Sequence, residues 1–257
     1  MVSAKGSPGV TTSALALAAT WPRTALLVEA DPFGGDVRAG LAAGQWPPSA
    51  GLAEAVADLR SMDLDEALAL RVHRPAQWAP PVLAGLGCVG QAGALPWGRI
   101  GAELGQVRGA DVIADCGRYL PADGVLALLR ECQLVVLVTG SSLRGVRSAA
   151  RLSPLLGRDL AVPAGHPRLS LLVIAPGGPY PGPEIARACE LPLLGELPDD
   201  PRAAGVWSDG EPCWRRFGRS ALQRAARRVA DRIADGVSPG GRLVGRGTDD
   251  VGAVGVA

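Results

Sequence analysis

The chain has 257 residues, of which 47% are hydrophobic and 20% charged, and its formal net charge is +1. This length suits one large domain or two small ones, and the composition is that of a folded globular protein and not of a disordered one. A net charge near zero excludes a global field that steers the protein to nucleic acid or membranes. Any such binding must therefore come from a local patch.

The cysteine and hydropathy patterns argue against secretion and against membrane spanning. The five cysteines are far apart, and no pair has Cys-x-x-Cys spacing, which disfavours both a disulfide framework and a zinc site. The pattern predicts buried thiols in a reducing compartment. No run of 18 apolar residues occurs, and the first residues lack the features of a signal peptide. We therefore expect a cytoplasmic protein without a membrane helix.

Short apolar runs alternate with helical patterns along most of the chain. Only residues 1–4 precede the first loop, so the first strand is either short or begins upstream. The later apolar runs cover residues 24–30, 82–89, 111–115, 133–139, 169–175 and 191–197, and helical patterns lie near 11–20, 51–59, 64–71, 98–107, 123–131, 143–156 and 182–190. Continuously apolar runs are typical of strands covered on both faces. Their alternation with helices predicts an α/β fold with a doubly wound, mostly parallel sheet.

The C-terminal part predicts one more helix and a tail. Residues 212–234 form an amphipathic pattern, and the span 211–235 holds seven arginines and three acidic residues, a local charge of +4. The arginines of residues 215–232 form either a solvated face over an apolar stripe or a weak binding surface for DNA phosphates. Residues 237–257 are Gly-rich and aperiodic, which predicts a disordered tail. We therefore expect one domain over residues 1–236, followed by the tail.

The loop AKGSPGVTT, at residues 4–12, stands between the first strand and an Ala/Leu-rich helix. A glycine-containing loop that leads into a helix holds phosphates, because backbone N–H groups and the helix N-terminus point at the ligand. Lys5 is the only lysine of the chain, and it lies in this loop. The alternative is an ordinary strand-to-helix turn capped by Thr11 or Thr12.

The loop and three later segments resemble those of the MinD/ParA ATPases, a family of P-loop NTPases with a deviant phosphate loop. KGSPGVTT is similar to the family's KGGVGKTT, and LLVEADPFGGD at residues 26–36 is similar to VLLVDADPQGG. DVIADCG at 111–117 resembles the strand that ends in the Walker B aspartate, and LPLLGELPDD at 191–200 follows in the family's order. The resemblance covers residues 2–235. It implies a P-loop NTPase fold, bound ATP and Mg²⁺, a homodimer, and a role in positioning a partner complex in partitioning, cell division, pilus assembly or secretion.

The resemblance also implies a role for each matching residue. Lys5 is expected to reach a phosphate, often across the dimer interface, and Asp31 to orient the attacking water; these two are the candidate catalytic residues. Thr11 and Asp115 are expected to hold Mg²⁺, Asp115 through water. The phosphate-binding positions are Lys5, Gly6, Ser7, Gly9, Val10, Thr11 and Thr12.

Several departures from the family pattern leave the activity open. Val10 occupies the position of the loop lysine, whose loss costs about 1.5–3 kcal/mol, or about tenfold to 150-fold in affinity. Pro8 removes a backbone N–H from the loop, Glu29 replaces an aspartate, and Ala175 stands in a segment where the family has an adenine-contacting asparagine. Two hypotheses follow: a slow ATPase that dimerises around nucleotide, or a pseudo-ATPase interaction module of the same fold.

Overall fold

The computed structural model describes residues 1–6, 9–121, 124–175 and 178–236. The predicted tail, residues 237–257, lies outside them. Within the described ranges the chain forms seven strands and nine α-helices in an alternating order. The strands are β1 (Val2–Ser3), β2 (Ala25–Glu29), β3 (Val82–Leu83), β4 (Asp111–Asp115), β5 (Val135–Gly140), β6 (Leu169–Ile174) and β7 (Leu193–Leu197). The helices are α1 (Val10–Thr20), α2 (Leu52–Asp58), α3 (Leu64–Arg71), α4 (Trp97–Leu104), α5 (Val125–Glu131), α6 (Leu143–Asp159), α7 (Gly182–Cys189), α8 (Pro201–Ser208) and α9 (Ala221–Gly236).

The strands pair in parallel in two groups, β3-β2-β4 and β1-β5-β6-β7. The chain beyond β4 joins the groups, because it runs beside β1. The N–H of Ser3 donates to the carbonyl of Gly117, and the N–H of Tyr119 donates to the carbonyl of Ser3, each at 2.9 Å. The strand order is therefore 3-2-4-1-5-6-7, and the predicted α/β fold with a mostly parallel sheet is confirmed.

Two apolar clusters cover the two faces of the sheet, as a doubly wound fold requires. One cluster is built by α2 to α7 with the even-numbered side chains of β2, and the other by α1, α8 and α9 with the odd-numbered ones. The connection from β1 to β2, which contains α1, lies on one face of the sheet. The connection from β4 to β5, which contains α5, lies on the other face. The ends of β1 and β4 thus border a topological switch point, where folds of this class bind ligands.

Two sequence predictions near the C-terminus were wrong in detail. The predicted helix 212–234 begins only at Ala221, because the Ser220 hydroxyl accepts the N–H of Gln223 at 3.2 Å and caps the helix there. The sequence analysis also missed α8, which starts at Pro201 after the cap Asp200, whose carboxylate accepts the N–H of Ala203 at 3.2 Å. Arginines 215, 216 and 219 therefore precede α9, and all seven arginines of this region are exposed.

The remaining sequence predictions concern cysteines and membranes. Cys116 and Cys189 are buried as expected, but Cys88 and Cys213 are exposed, so the prediction of buried thiols was wrong for these two. Among the described residues, no helix has the length and apolar character needed to cross a membrane.

Candidate functional site

The first loop, residues 4–9, leads from the end of β1 into α1. Gly9 adopts a φ of +85°, a left-handed conformation that favours glycine, and α1 begins at the next residue. Lys5 and Gly6 are exposed, while the predicted Ser7 and the proline after it lie outside the described residues. The first amides of any α-helix lack partners within the helix, so the start of α1 offers N–H donors to an anion at this edge.

Val10 occupies the lysine position but turns its side chain away from that edge. The side chain is 5% exposed and belongs to the apolar cluster of α1, α8 and α9. Only its backbone is therefore left to contribute to a phosphate site. Thr11 and Thr12 are half-buried in the same first turn.

Asp115 ends β4 and faces the start of α1. Its side chain is buried, and its Oδ1 accepts the N–H of Gly117 at 3.0 Å. Burial raises the pKa of Asp115, and the side chain of Thr11 beside the carboxylate lowers it in part. Oδ2 is buried and has no hydrogen-bond partner among the described residues. The two predicted Mg²⁺ residues thus lie together, beside a buried oxygen with unused acceptor capacity.

Asp31 follows β2 and lies over the end of β4. Its Oδ1 accepts the N–H of Phe33 at 2.8 Å, which shapes the turn after β2. Its Oδ2 lies so close to the Cα of Gly117 that a Cβ there would overlap the carboxylate. Gly117 itself has a φ of +57°. The structure therefore brings Asp31 to the segment that immediately follows Asp115.

Glu29 is a part of this site to which the sequence analysis assigned no role. It pairs in register with Asp115, and its carboxylate accepts the N–H groups of Val37 at 3.0 Å and Gly85 at 2.7 Å. The carboxylate is packed so tightly that a Cβ at Gly35 would overlap it. Burial raises the pKa of Glu29 to about 7, the two amides oppose this, and the charge of Asp115 adds to it. The signal in the sequence was a carboxylate that ends the otherwise apolar strand ALLVE.

These residues fit a hydrated Mg²⁺ held jointly with a phosphate. Within the described part of the chain, no group of three or more His, Cys, Asp or Glu side chains is arranged to hold a metal ion by itself. Mg²⁺ retains several waters and needs only one or two protein oxygens when phosphates supply the rest. Thr11 Oγ1 and Asp115 Oδ2 are the two oxygens available for that purpose, and the carboxylate of Asp31 lies against Gly117, two residues beyond Asp115.

Known proteins resemble this chain in sequence and in fold. The chain matches no known protein-family model. It is 32% identical over 239 residues to two uncharacterized proteins of Mycobacterium tuberculosis, MT3760 of strain CDC 1551 and Rv3660c of strain H37Rv. The match covers 88% of this chain but only 61% of each relative, so the chain spans less than two thirds of their length.

Solved structures identify the fold. The cell-division ATPase MinD of Pyrococcus furiosus superposes with a TM-score of 0.69 and 19% identity, over 91% of this chain and 96% of that one. MinD of Pyrococcus horikoshii, complexed with Mg-ADP, gives 0.68 and 18%, over 91% and 93%. A ParA family ATPase of Chlorobium tepidum gives 0.65 and 16%, over 89% and 96%. The protein has a P-loop NTPase fold of the doubly wound α/β class. Within that class, its fold is the one shared by MinD and ParA, as the sequence resemblance implied.

Proposed function

We propose that this protein is a MinD/ParA-like ATP-binding protein and a slow ATPase that dimerises with nucleotide and positions a partner complex. ATP and Mg²⁺ would bind at the edge formed by the first loop and the ends of β2 and β4. The observation that carries the proposal is the unpaired, buried Oδ2 of Asp115 beside Thr11. A buried oxygen without a partner costs free energy, and a hydrated Mg²⁺ supplies the missing partner.

Each remaining site residue has a specific task in this proposal. The exposed Lys5 ammonium would contact a phosphate of ATP, either in its own subunit or across a homodimer. Asp31 would orient the attacking water, since this half-buried residue follows β2 and its carboxylate lies against Gly117, two residues beyond Asp115. Glycines 6 and 9 would let the backbone, together with Ser7 and the amides of residues 10–12, approach the phosphates.

The buried side chain of Val10 favours a second candidate function, a pseudo-ATPase interaction module. A phosphate site without the loop lysine lacks a charge-assisted bond worth about 1.5–3 kcal/mol. We therefore expect binding of ATP in the range of tens of micromolar or weaker. In this alternative the protein binds its partners without turnover, and the exposed arginines of residues 215–232 would still bind DNA weakly.

Calorimetric titration with a slowly hydrolysed ATP analogue tests the proposal, with and without Mg²⁺. We expect weak, Mg²⁺-dependent binding by the unaltered protein and weaker binding by Lys5→Ala and Asp115→Asn. Lys5→Arg, which retains the charge, is the matched control and should preserve most of the affinity. Absence of heat and of thermal stabilisation at millimolar nucleotide would refute nucleotide binding. Binding without phosphate release in a turnover assay would favour the pseudo-ATPase.

Sedimentation of the protein with and without the analogue tests the dimer. A shift from monomer to dimer that requires both the analogue and Lys5 supports a nucleotide-dependent switch. An unchanged monomer at saturating analogue would contradict it.

A further inference from the structure

A groove opens between α2 and α4, on the face of the sheet opposite to α1. Its walls come from α2 and the two residues after it, from the 3₁₀ turn Val89–Ala94 and the two residues after that, and from the first turn of α4. The space measures about 390 Å³, within the range of small-molecule sites. Because α1 and the first loop lie on the other face, this groove is separate from the candidate nucleotide site.

The walls of the groove are mostly apolar, and Gln91 is the uncharged polar side chain among them. The apolar side chains that line it include Val56, Leu59, Leu95 and Ile100. Below Val56 and Ile100, the interior continues between α2, α3 and α4, where the lining is apolar except for Glu103. An apolar body placed here would lose its contact with water, and about 25 cal/mol is gained per Å² of apolar surface removed from water.

The mouth of the groove is positively charged. Arg60 and Arg99 line it, and no acidic residue does so in the part of the chain that the structure describes. The Arg60 side chain is exposed and forms no hydrogen bond or ion pair with any described residue. Arg99 lies 3.5 Å from Glu103, a loose contact with a side chain outside the groove, and 60% of its side chain is exposed. Both guanidinium groups are therefore available to an anion, which guanidinium can bind through two hydrogen bonds.

We propose that this groove binds an anionic amphiphile, a single carboxylate on an unbranched apolar body, as in a medium-chain fatty acid. The apolar body lies against the walls formed by α2 and α4, and the carboxylate meets Arg60 and Arg99 at the mouth. The combination of apolar walls with a few convergent polar groups is the usual composition of a small-ligand site. Arg60, which has no charged partner among the described residues, and the largely exposed Arg99 favour an anion over a neutral or cationic amphiphile.

Calorimetry with decanoate, kept below its micelle concentration, tests the proposal in the full-length protein. We expect saturable binding of one decanoate per chain. Decanol should bind at least tenfold more weakly because it has no charge, and decyltrimethylammonium should not compete with decanoate. Equal binding of decanoate and decanol, or no saturable binding of decanoate at 1 mM, would overturn the proposal.

Variants locate the site. Arg60→Ala/Arg99→Ala should weaken decanoate binding at least tenfold, and Ala57→Trp should abolish it by filling the groove. The matched control Arg147→Ala/Arg151→Ala removes two exposed arginines of α6 and should leave the affinity unchanged. Lys5→Ala should also bind decanoate normally, which separates this site from the first loop. Circular dichroism establishes that each variant is folded, and equal losses in the groove variant and the α6 control would overturn the assignment.

Discussion

The first loop and the acidic ends of β2 and β4 border the same candidate site, but they are built differently. In the first loop Lys5 and Gly6 are exposed, and the residue at the lysine position, Val10, turns into the core. At the acidic edge the carboxylates of Glu29 and Asp115 are buried and hold backbone amides of the surrounding segments. One side of the site lies on the surface, whereas the other is part of the interior.

This difference predicts how strongly folding depends on the residues of each part of the site. Lys5 and Gly6 can change with little effect on folding, because both residues are exposed. The carboxylates of the acidic edge cannot be replaced without an effect on folding. Each backbone N–H group that donates to them would otherwise be buried without a partner. Of the departures from the family pattern, Val10 belongs to the core and not to the exposed part of the loop, so its apolar side chain contributes to packing.

The largest expected effect is that of Glu29→Ala. Removing the carboxylate leaves the buried amides of Val37 and Gly85 without acceptors, which we expect to lower the free energy of unfolding by about 2–5 kcal/mol. Urea unfolding followed by circular dichroism measures this. Glu184→Ala, at an exposed position of α7, is the control and should change stability by less than about 0.5 kcal/mol. Similar losses in the two variants would mean that the hydrogen bonds of Glu29 to Val37 and Gly85 do not stabilise the fold.

The pH dependence of stability tests the same carboxylate without deleting it. The pKa of Glu29 rises from 4.5 to about 7 on folding, so the unfolded chain loses this proton at lower pH than the folded one. Stability should therefore fall as the pH rises from about 4.5 to about 7, by an amount on the order of 3 kcal/mol from this group. In Glu29→Gln, which does not titrate, this part of the slope should vanish. Parallel pH profiles of the two proteins in urea unfolding would contradict the raised pKa.

Gly117→Ala tests the close contact between the Asp31 carboxylate and the backbone of Gly117. An alanine at this position must adopt a positive φ, and its Cβ would overlap the Asp31 carboxylate. We expect a loss of about 1–3 kcal/mol in unfolding free energy, together with weaker binding of the ATP analogue. Gly165→Ala isolates the backbone contribution, because Gly165 has a φ of +73° but nothing within 4 Å of the added Cβ. Equal losses in stability and equal nucleotide binding in the two variants would show that the Asp31 contact contributes nothing.

The smallest effect on stability should come from Lys5→Ala. The side chain is exposed, so we expect a change of less than about 0.5 kcal/mol in unfolding free energy. Nucleotide affinity should nevertheless fall, and it should fall most at low salt, where exposed charges are least screened. A destabilisation as large as that of Glu29→Ala would remove the distinction between the two sides of the site.

Much of the fold follows from the apolar runs of the sequence, which occur where strands β2 to β7 lie. The run 82–89 contributes only Val82–Leu83 to the sheet, because Ala84 bridges to Gly51 instead and Gly85 packs against the Glu29 carboxylate. The helix α8 was missed because its eight residues contain a proline and a glycine, and its start depends on the cap formed by Asp200. Local propensity does not reveal such a helix; its packing against α1 and α9 stabilises it.

Within the candidate site, the sequence order of motifs predicted which residues meet, and the structure brings Thr11, Asp31 and Asp115 to one edge. The sequence did not reveal that Val10 is buried, since a loop position gives no information about the direction of its side chain. Nor did it reveal the role of Glu29, because its partners Val37 and Gly85 come from two different loops. Contacts of that kind arise only when distant segments meet.

The placement of β1 has a consequence for the order of folding. Its two residues are the only strand between β4 and β5 among the residues described, and their partners lie at residues 116–119 and 137–138, more than 100 positions further along the chain. Strands β5, β6 and β7 pair in the order of the chain, and β2 and β4 pair across a shorter stretch of chain than separates β1 from its partners, so both groups close smaller loops than β1 does. We therefore expect β1 to pair with the sheet last and to connect two groups of strands that have already formed. The first loop and the start of α1 would then take up their positions in the final step of folding.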